Sequence, residues 1–173
     1  MADLANDAGA LRLRIDLVGR EAPGREPGPG GPEGGKAPVG RLLASAGVEY
    51  LDRRDGEWWP LLRLPPLHVA PEAVGALAGG LQDLLQGAAP GFAWQSGEDA
   101  ALGVQMGGAG EGPGDALLVE VGMDVSLFLA EVARVPSRRG AELALFRWVA
   151  TRAGAVAFAA ALRSDLEALL GDG

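Results

Sequence analysis

The run Leu-Arg-Leu-Arg-Ile-Asp-Leu-Val at residues 11–18 alternates apolar and charged side chains from Leu11 to Leu17. A period of two places the apolar side chains on one face and the charged ones on the other, which is typical of a half-buried antiparallel strand. The same alternation returns at residues 117–129, where every odd position is apolar. These two runs predict a sheet with one face towards a core and one towards solvent.

Further strand and helix signals lie between and after these runs. Residues 48–51 and 57–64 are β-prone on either side of an Asp-Gly turn signal, and Pro60 predicts an edge strand or a bulge. A second hairpin is predicted over residues 92–106, and a last strand over residues 141–149. Apolar residues at helical spacing predict one helix between Pro71 and Gly87 and another that Thr151 caps, with its clearest part at residues 162–170.

Together these elements predict a single α+β domain over residues 1–173, with an antiparallel sheet of about six to seven strands and two helices packed on one face. Residues 19–40 contain eight Gly and five Pro in 22 positions, which predicts a disordered Gly/Pro-rich insertion within that domain. No internal repeat is visible in the sequence.

The composition excludes several classes of protein. The chain has 173 residues and a formal charge of −8, which argues against a nucleic-acid partner. There is no Cys, and His68 is the single His, so disulfides, thiol nucleophiles and metal sites built from two imidazoles are excluded. Residues 1–10 show no secretory signal and no stretch could span a membrane, which predicts a cytoplasmic protein.

No motif in the chain predicts catalysis or a cofactor. Residues 30–37 match the spacing of a phosphate-binding P-loop except at Ala37, which lacks the metal-binding hydroxyl, and Pro32 removes a backbone N–H. His68 lies in an apolar segment without a nucleophile nearby, so a partly buried structural histidine is the favoured interpretation. We therefore expect a non-enzymatic protein with no metal and no cofactor.

The adjacent tryptophans Trp58 and Trp59 are the most informative side chains. In a strand they point to opposite faces, so we expect one to enter the core and the other to remain accessible. An accessible Trp beside Tyr50 and three carboxylates has the composition of a protein-binding hot spot, unless another part of the chain covers it. The predicted partner-binding residues are Tyr50, Asp52, Asp55, Glu57, Trp58, Glu120 and Asp124.

The carboxylates in this set also have simpler interpretations. Asp52, Asp55 and Glu57 fit ordinary turn chemistry, in which such carboxylates are solvated and compensated by Arg53 and Arg54. Glu120 and Asp124 fit the polar face of a half-exposed strand.

Several of these segments resemble, in order and in aromatic content, the WapI-type immunity proteins and related small acidic bacterial domains. The resemblance covers most of the chain outside residues 19–40 and 107–115. The segments that carry it are the strand at 11–18, Asp-Gly-Glu-Trp-Trp at 55–59, the helix end Leu-Leu-Gln-Gly at 84–87, the hairpin at 92–106, and Arg-Trp-Val at 147–149 leading to the helix at 162–170.

The resemblance implies an inhibitor that binds a cognate toxin domain, often a basic nuclease, inside the producing cell. An acidic surface is compatible with such a partner, because opposite charge steers association. Two alternatives remain open. One is an adaptor or assembly component of a bacterial protein complex, and the other is an enzyme or ligand carrier with a pocket lined by Trp94, Met106 and Trp148.

Overall fold

Two antiparallel sheets and two helices form the part of the chain that the computed structural model describes, namely residues 1–20, 40–97, 101–108, 116–125 and 143–171. The first sheet has the order β1-β2-β3-β4, and β5 pairs with β3 beyond the end of β4. The second sheet has the order β6-β7-β8-β9. The bounds are β1 Ala2–Ala5, β2 Leu11–Arg20, β3 Leu42–Asp52, β4 Glu57–Arg63, β5 Leu67–Val69, α1 Pro71–Leu85, β6 Gly91–Gln95, β7 Leu102–Gly108, β8 Ala116–Asp124, β9 Leu143–Thr151 and α2 Arg152–Gly171.

The predicted α+β class and the antiparallel pairing are confirmed, but the strand count differs. The described residues form nine strands in two sheets, instead of six to seven in one. The additional strands β1 and β5 have four and three residues, which is too short for alternation to stand out in a sequence. The sheets approach each other where the amide of Asp7, just after β1, donates to the carbonyl of Val149 on β9 at 2.9 Å.

The order of elements occurs twice, although no repeat is visible in the sequence. In each half, four strands pair in chain order and a helix follows, although in the first half β5, which pairs with β3, lies between β4 and α1. The helix that follows the second sheet packs against β1 and β2 of the first, and the helix that follows the first sheet packs against β6 of the second. The two helices also contact each other. The two halves therefore share one arrangement and pack reciprocally.

One apolar core receives side chains from both sheets and both helices. Because β1 lies between β2 and the C-terminal helix, Ala2 and Leu4 are fully buried. The indole Nε1 of Trp94 on β6 donates to the carbonyl of Ala73 in α1 at 2.6 Å, which ties the second sheet to that helix. The largest fully buried side chains are Phe158, Leu4, Leu13, Leu42, Leu77, Leu81, Leu102, Met123, Leu162, Val48, Val104 and Val119.

Local predictions about Pro60, Thr151 and Gly87 are confirmed. Pro60 lies on β4 at the edge of the first sheet, and the register shifts beside it, between Val48 and Glu49. The hydroxyl of Thr151 accepts a hydrogen bond from the amide of Gly154 at 3.1 Å, as expected of a helix cap. Gly87 follows α1 with a φ of 75°, a conformation that favours glycine.

Other predictions lie outside the described residues. These are most of the insertion at 19–40, the P-loop-like run at 30–37, the end of the strand predicted at 117–129, and the turn at 136–140.

Two adjacent glycines in α1 provide a matched test of how closely this helix packs on the second sheet. A Cβ at Gly79 would meet no atom within 4 Å, whereas a Cβ at Gly80 would lie 3.0 Å from Cδ2 of Phe92 on β6. We expect Gly79→Ala to raise the free energy of unfolding by about 1 kcal/mol, because Ala favours the helix over Gly. In Gly80→Ala the contact with Phe92 should offset that gain. Urea denaturation of both variants measures the difference, and equal stabilisation would contradict this packing.

Candidate protein-binding surfaces

Five of the seven predicted site residues lie together on the hairpin formed by β3 and β4. The described register pairs Tyr50 with Trp59, Leu51 with Trp58 and Asp52 with Glu57. Asp55 lies in the turn between the two strands. The predicted hairpin is thus present, and its tip carries the predicted acidic residues beside aromatic ones.

Two of these carboxylates hold the turn. Asp52 accepts a hydrogen bond from the amide of Arg54, and Asp55 accepts one from the amide of Glu57, both at 2.9 Å. Gly56 adopts a φ of 74° and its amide donates to the carbonyl of Asp52 at 2.8 Å. The turn chemistry considered from the sequence is therefore present, and both acids still lie at the exposed tip of the hairpin.

Neither Trp58 nor Trp59 enters the core, so the expectation that one of them does so is wrong. Trp58 is half-buried on the outer face of the sheet, where the Arg12 guanidinium lies 4.0 Å from the centre of its ring. Trp59 points to the same face as Tyr50, and the two side chains are 47% and 37% exposed. The reason is that the hairpin extends past the core, whose last member on this face of β3 is Val48.

Of the two tryptophans, the accessible one is thus Trp59, which is absent from the predicted set. The pair of adjacent tryptophans signalled that one would be accessible, but their alternation does not say which one. Leu61, further along β4, is 50% exposed. We define the hairpin patch as Tyr50, Trp59 and Leu61 with the neighbouring carboxylates Asp52, Asp55 and Glu57.

An ionic cluster lies under Trp58 on the outer face of the first sheet. Nε and Nη2 of Arg12 donate to Oε2 of Glu49 at 2.8 and 2.6 Å, and Nη1 donates to Oδ2 of Asp3 at 3.1 Å. Arg63 lies 3.4 Å from the other oxygen of Glu49. Glu49 is buried although it lies on the outer face. Its charge therefore depends on Arg12, because a buried carboxylate without a partner is strongly destabilising.

Arg14 lies on the same face and makes a more exposed ion pair with Asp16, at 2.9 Å. Burial acts to lower the pKa of Arg14, but the hydrogen bond from Arg14 to Asp16, the charge of Asp16 and the charges of Glu49 and Asp3 together raise it. This side chain therefore stays protonated and provides a matched control for Arg12.

The other two predicted residues lie on the second sheet, apart from the hairpin. Oε2 of Glu120 on β8 accepts hydrogen bonds from Nε of Arg147 on β9, at 2.8 Å, and from its Nη2. Asp124 is buried, with 1% of its surface exposed, whereas the alternation predicts a half-exposed side chain. It is buried because the end of β8 meets the β6–β7 connection, where the Asp124 amide donates to the carbonyl of Ala101 at 2.9 Å.

A groove of about 610 Å³ crosses the outer face of the second sheet. Gly103 and Gly122, which pair across β7 and β8, form its floor. Leu143 and Leu145 on β9 line it and are 64% and 59% exposed. This groove is absent from the predictions above, and glycine at two strand positions is the signal in the sequence that indicates it. We call it the glycine groove.

At the positions considered for catalysis or ligand binding, the described residues enclose little empty volume and form no cluster of potential metal ligands. A cavity lined by Trp94 and ten core residues measures about 10 Å³, at or below the space that one water needs. Met106 and Trp148 are buried. His68 is exposed on β5 opposite Leu43, so the expectation of partial burial is wrong. No group of three or more potential metal ligands occurs among the described residues.

The helices of the described ranges include none with the length and hydropathy that crossing a bilayer requires. Comparison of the chain with protein-family models, with curated proteins and with solved structures gives no match in any of the three.

The ionic cluster leads to a stability prediction. Arg12→Met leaves Glu49 buried without its main partner, so we expect the free energy of unfolding to fall by about 3–5 kcal/mol. Arg14→Met removes a more exposed pair and should cost less than about 1 kcal/mol. Replacing both Arg12 and Glu49 with Met should recover most of the loss, because the uncompensated charge is gone. Urea denaturation of the three variants measures these values, and equal losses for Arg12→Met and Arg14→Met would contradict the prediction.

Proposed function

We propose that this chain is a non-enzymatic protein-binding domain of the immunity type, which acts in the cytoplasm by binding and neutralising a cognate toxin domain. The observation that carries the proposal is the hairpin patch. Tyr50, Trp59 and Leu61 are all at least 37% exposed on a single hairpin, although aromatic side chains in a domain with this much core usually become buried. Aromatic side chains of this kind dominate the energy of protein interfaces.

The position of the hairpin patch also favours recognition of a protein. Its side chains belong to an edge strand and its neighbour, so a partner can approach from the side of the sheet as well as from its face. The hydrogen bonds that Asp52 and Asp55 make to the turn hold the tip in one conformation. A pre-ordered tip reduces the entropy that binding costs.

Charge supports a basic partner. The chain has 23 acidic and 15 basic side chains, and the hairpin tip carries three carboxylates beside the two exposed arginines Arg53 and Arg54. Opposite charge raises the association rate more than it raises the contact energy, and salt screens this effect. An inhibitor of a basic nuclease would gain speed of capture from this distribution. The alternative, an adaptor in a stable assembly, would use the same aromatic residues with less dependence on salt.

The experiment is affinity purification of the tagged full-length chain from its own cells at low and high salt, with mass spectrometry of the retained proteins. We expect a basic domain at low salt and weaker retention at high salt. Trp59→Ala should reduce its retention about tenfold or more, as expected of a hot-spot residue. Val156→Ala is the matched control, because Val156 is 52% exposed on α2, away from the hairpin.

The captured domain then decides between inhibitor and adaptor. Expressed alone it should arrest growth, and co-expression with the wild-type chain, but not with Trp59→Ala, should restore growth. A captured protein without toxicity, or a large complex that is insensitive to salt, would support the adaptor and overturn the proposed inhibition.

A further inference from the structure

The outer face of the second sheet is poor in charge. When one face of an antiparallel sheet lies in a core, the other face ordinarily carries polar side chains. The first sheet follows this rule, since its outer face carries Asp3, Arg12, Arg14, Asp16, Glu49 and Arg63. Apart from the buried Asp124, the described strands of the second sheet carry one glutamate and one arginine. These two, Glu120 and Arg147, already pair with each other.

This face is therefore neutral on a chain whose formal charge is −8. Two molecules with a net charge of this size repel each other, but a neutral face adds nothing to that repulsion. The same face exposes apolar side chains, because Leu118, Leu143 and Leu145 are 38%, 64% and 59% exposed. Exposed apolar side chains that lie together on one face indicate an interaction surface.

Small and large side chains occupy opposite halves of this face. Three rows of paired residues cross it from β6 to β9. On β6 and β7 the rows contain only Gly, Ala or Gln, whereas on β8 and β9 every member except Gly122 is large. The first row consists of Gly91, Gly107, Leu118 and Val149, the second of Ala93, Gln105, Glu120 and Arg147, and the third of Gln95, Gly103, Gly122 and Leu145.

The small half contains two depressions. One has a volume of about 450 Å³ and is lined by Gly91 and Gly107, and the other is the glycine groove. The backbone does not require glycine at most of these positions. A Cβ at Gly122 would meet no atom within 4 Å, and a Cβ at Gly103 or Gly107 would meet its nearest atom at 3.8 or 3.6 Å. The missing side chains therefore shape the surface and are not needed for the fold.

We infer that the outer face of the second sheet is the interface of a homodimer, in which it packs on the same face of a second copy of the chain. A symmetric dimer brings identical patches together, so the patch must complement itself. A face with one small half and one large half does so when the twofold axis runs along the strands between β7 and β8. The large half of each copy then lies over the small half of the other.

The rows show which residues meet in this arrangement. Each row faces itself in reverse, so Leu118 lies over Gly107 of the second copy and Val149 lies over its Gly91. Large side chains opposite small ones fill the space of about 10 Å between two packed sheets. Glu120 faces Gln105 of the second copy, which is a neutral hydrogen-bond partner. No like charges oppose each other, and the pair of Glu120 with Arg147 is kept within each chain.

The size of the face sets the expected affinity. Four strands spaced about 4.8 Å apart, with about seven residues of about 3.3 Å each, cover about 19 by 23 Å. Two copies then bury roughly 900 Å² before the relief of the side chains is counted, which is near the lower bound of about 1,000 Å² for a specific interface. We therefore expect a reversible dimer with a dissociation constant in the micromolar range. The inference is independent of the hairpin patch, which lies on the first sheet.

The first test is analytical ultracentrifugation of the full-length chain from about 5 to 500 µM. We expect a monomer at the lowest concentration and mostly dimer at the highest. Salt should not weaken the dimer, because it screens the repulsion between two acidic chains. This response is opposite to the one expected for a basic partner at the hairpin patch. Trp59→Ala should leave the dimer unchanged.

Matched variants locate the interface. Leu118→Arg places an unpaired charge in it and should weaken the dimer at least tenfold. Leu170→Arg is the control, because Leu170 lies on α2, is exposed to a similar extent, at 40% against 38%, and gains the same charge. Gly122→Val should hold the two faces apart, whereas Gly108→Val, which has equal space on β7 but lies outside the three rows, should not. Circular dichroism confirms that each variant is folded.

NMR spectra of the ¹⁵N-labelled chain at increasing dilution identify the face directly. Backbone amides of glycine resonate in a separate region of the spectrum. We expect the signals of Gly103, Gly107 and Gly122 to shift with concentration, while that of Gly56, in the turn of the first sheet's hairpin, stays constant. A dimer formed by exchange of the two halves would differ, because it would not dissociate readily on dilution.

Three outcomes would overturn the inference. They are a chain that stays monomeric at about 500 µM, a dimer that Leu118→Arg leaves intact, and dilution shifts at Gly56 instead of Gly103 and Gly122. Affinity purification gives a fourth. If the chain is monomeric and Leu118→Arg, but not Trp59→Ala, loses a captured protein, the occupant of this face is a different protein and not a second copy.

Discussion

The reciprocal packing of the two helices is the constraint on which the rest of the structure depends. A four-stranded antiparallel sheet with one apolar face is not stable in water until that face is covered. Here α2 covers β1 and β2 of the first sheet, while α1 packs against β6 of the second. The core of the first sheet is therefore completed by α2, which follows the second sheet in the chain, and the core of the second sheet is completed by α1, which follows the first. We expect the two halves to fold as one cooperative unit.

Because the inner faces of both sheets form the core, their outer faces and edges are the surfaces available for recognition. The hairpin of β3 and β4 extends past the core, so Tyr50 and Trp59 remain accessible. On the outer face of the first sheet, the Arg12–Glu49 pair and Trp58 fill the space between the strands. The same face of the second sheet remains open as the glycine groove. The two candidate surfaces thus arise from one architecture. One lies where the hairpin extends past the core, and the other lies where glycines on two paired strands form the floor of a groove.

The sequence predicted those elements whose patterns are long and local. Residues 11–17 alternate over seven positions, and the described strand β2 includes all of them. The short strand β1 could not be predicted, because its burial depends on α2, which is more than 140 residues away in the chain. The division into two sheets is also a tertiary property, since a single sheet and two sheets can be built from the same alternation.

The candidate site shows the same limit. The Asp-Gly turn and its acidic neighbours were predictable from local chemistry, and the structure places them at the hairpin tip. The choice between Trp58 and Trp59 depends on where Arg12 lies, and Arg12 is on another strand. Asp124 shows the half-exposed alternation in sequence, but a neighbouring connection buries it. Neither outcome is encoded within a few residues of the side chain concerned.

The reciprocal packing also bears on how the molecule can associate with itself. The contacts between the halves would be the same if the first half of one molecule met the second half of another, as in domain swapping. Residues 86–90, which join α1 to β6, are the segment that directs each half to its own partner. Such a short connection keeps the local concentration of the matching half high. The contacts between the halves are the same within one chain and between two chains, so only this connection distinguishes the two arrangements.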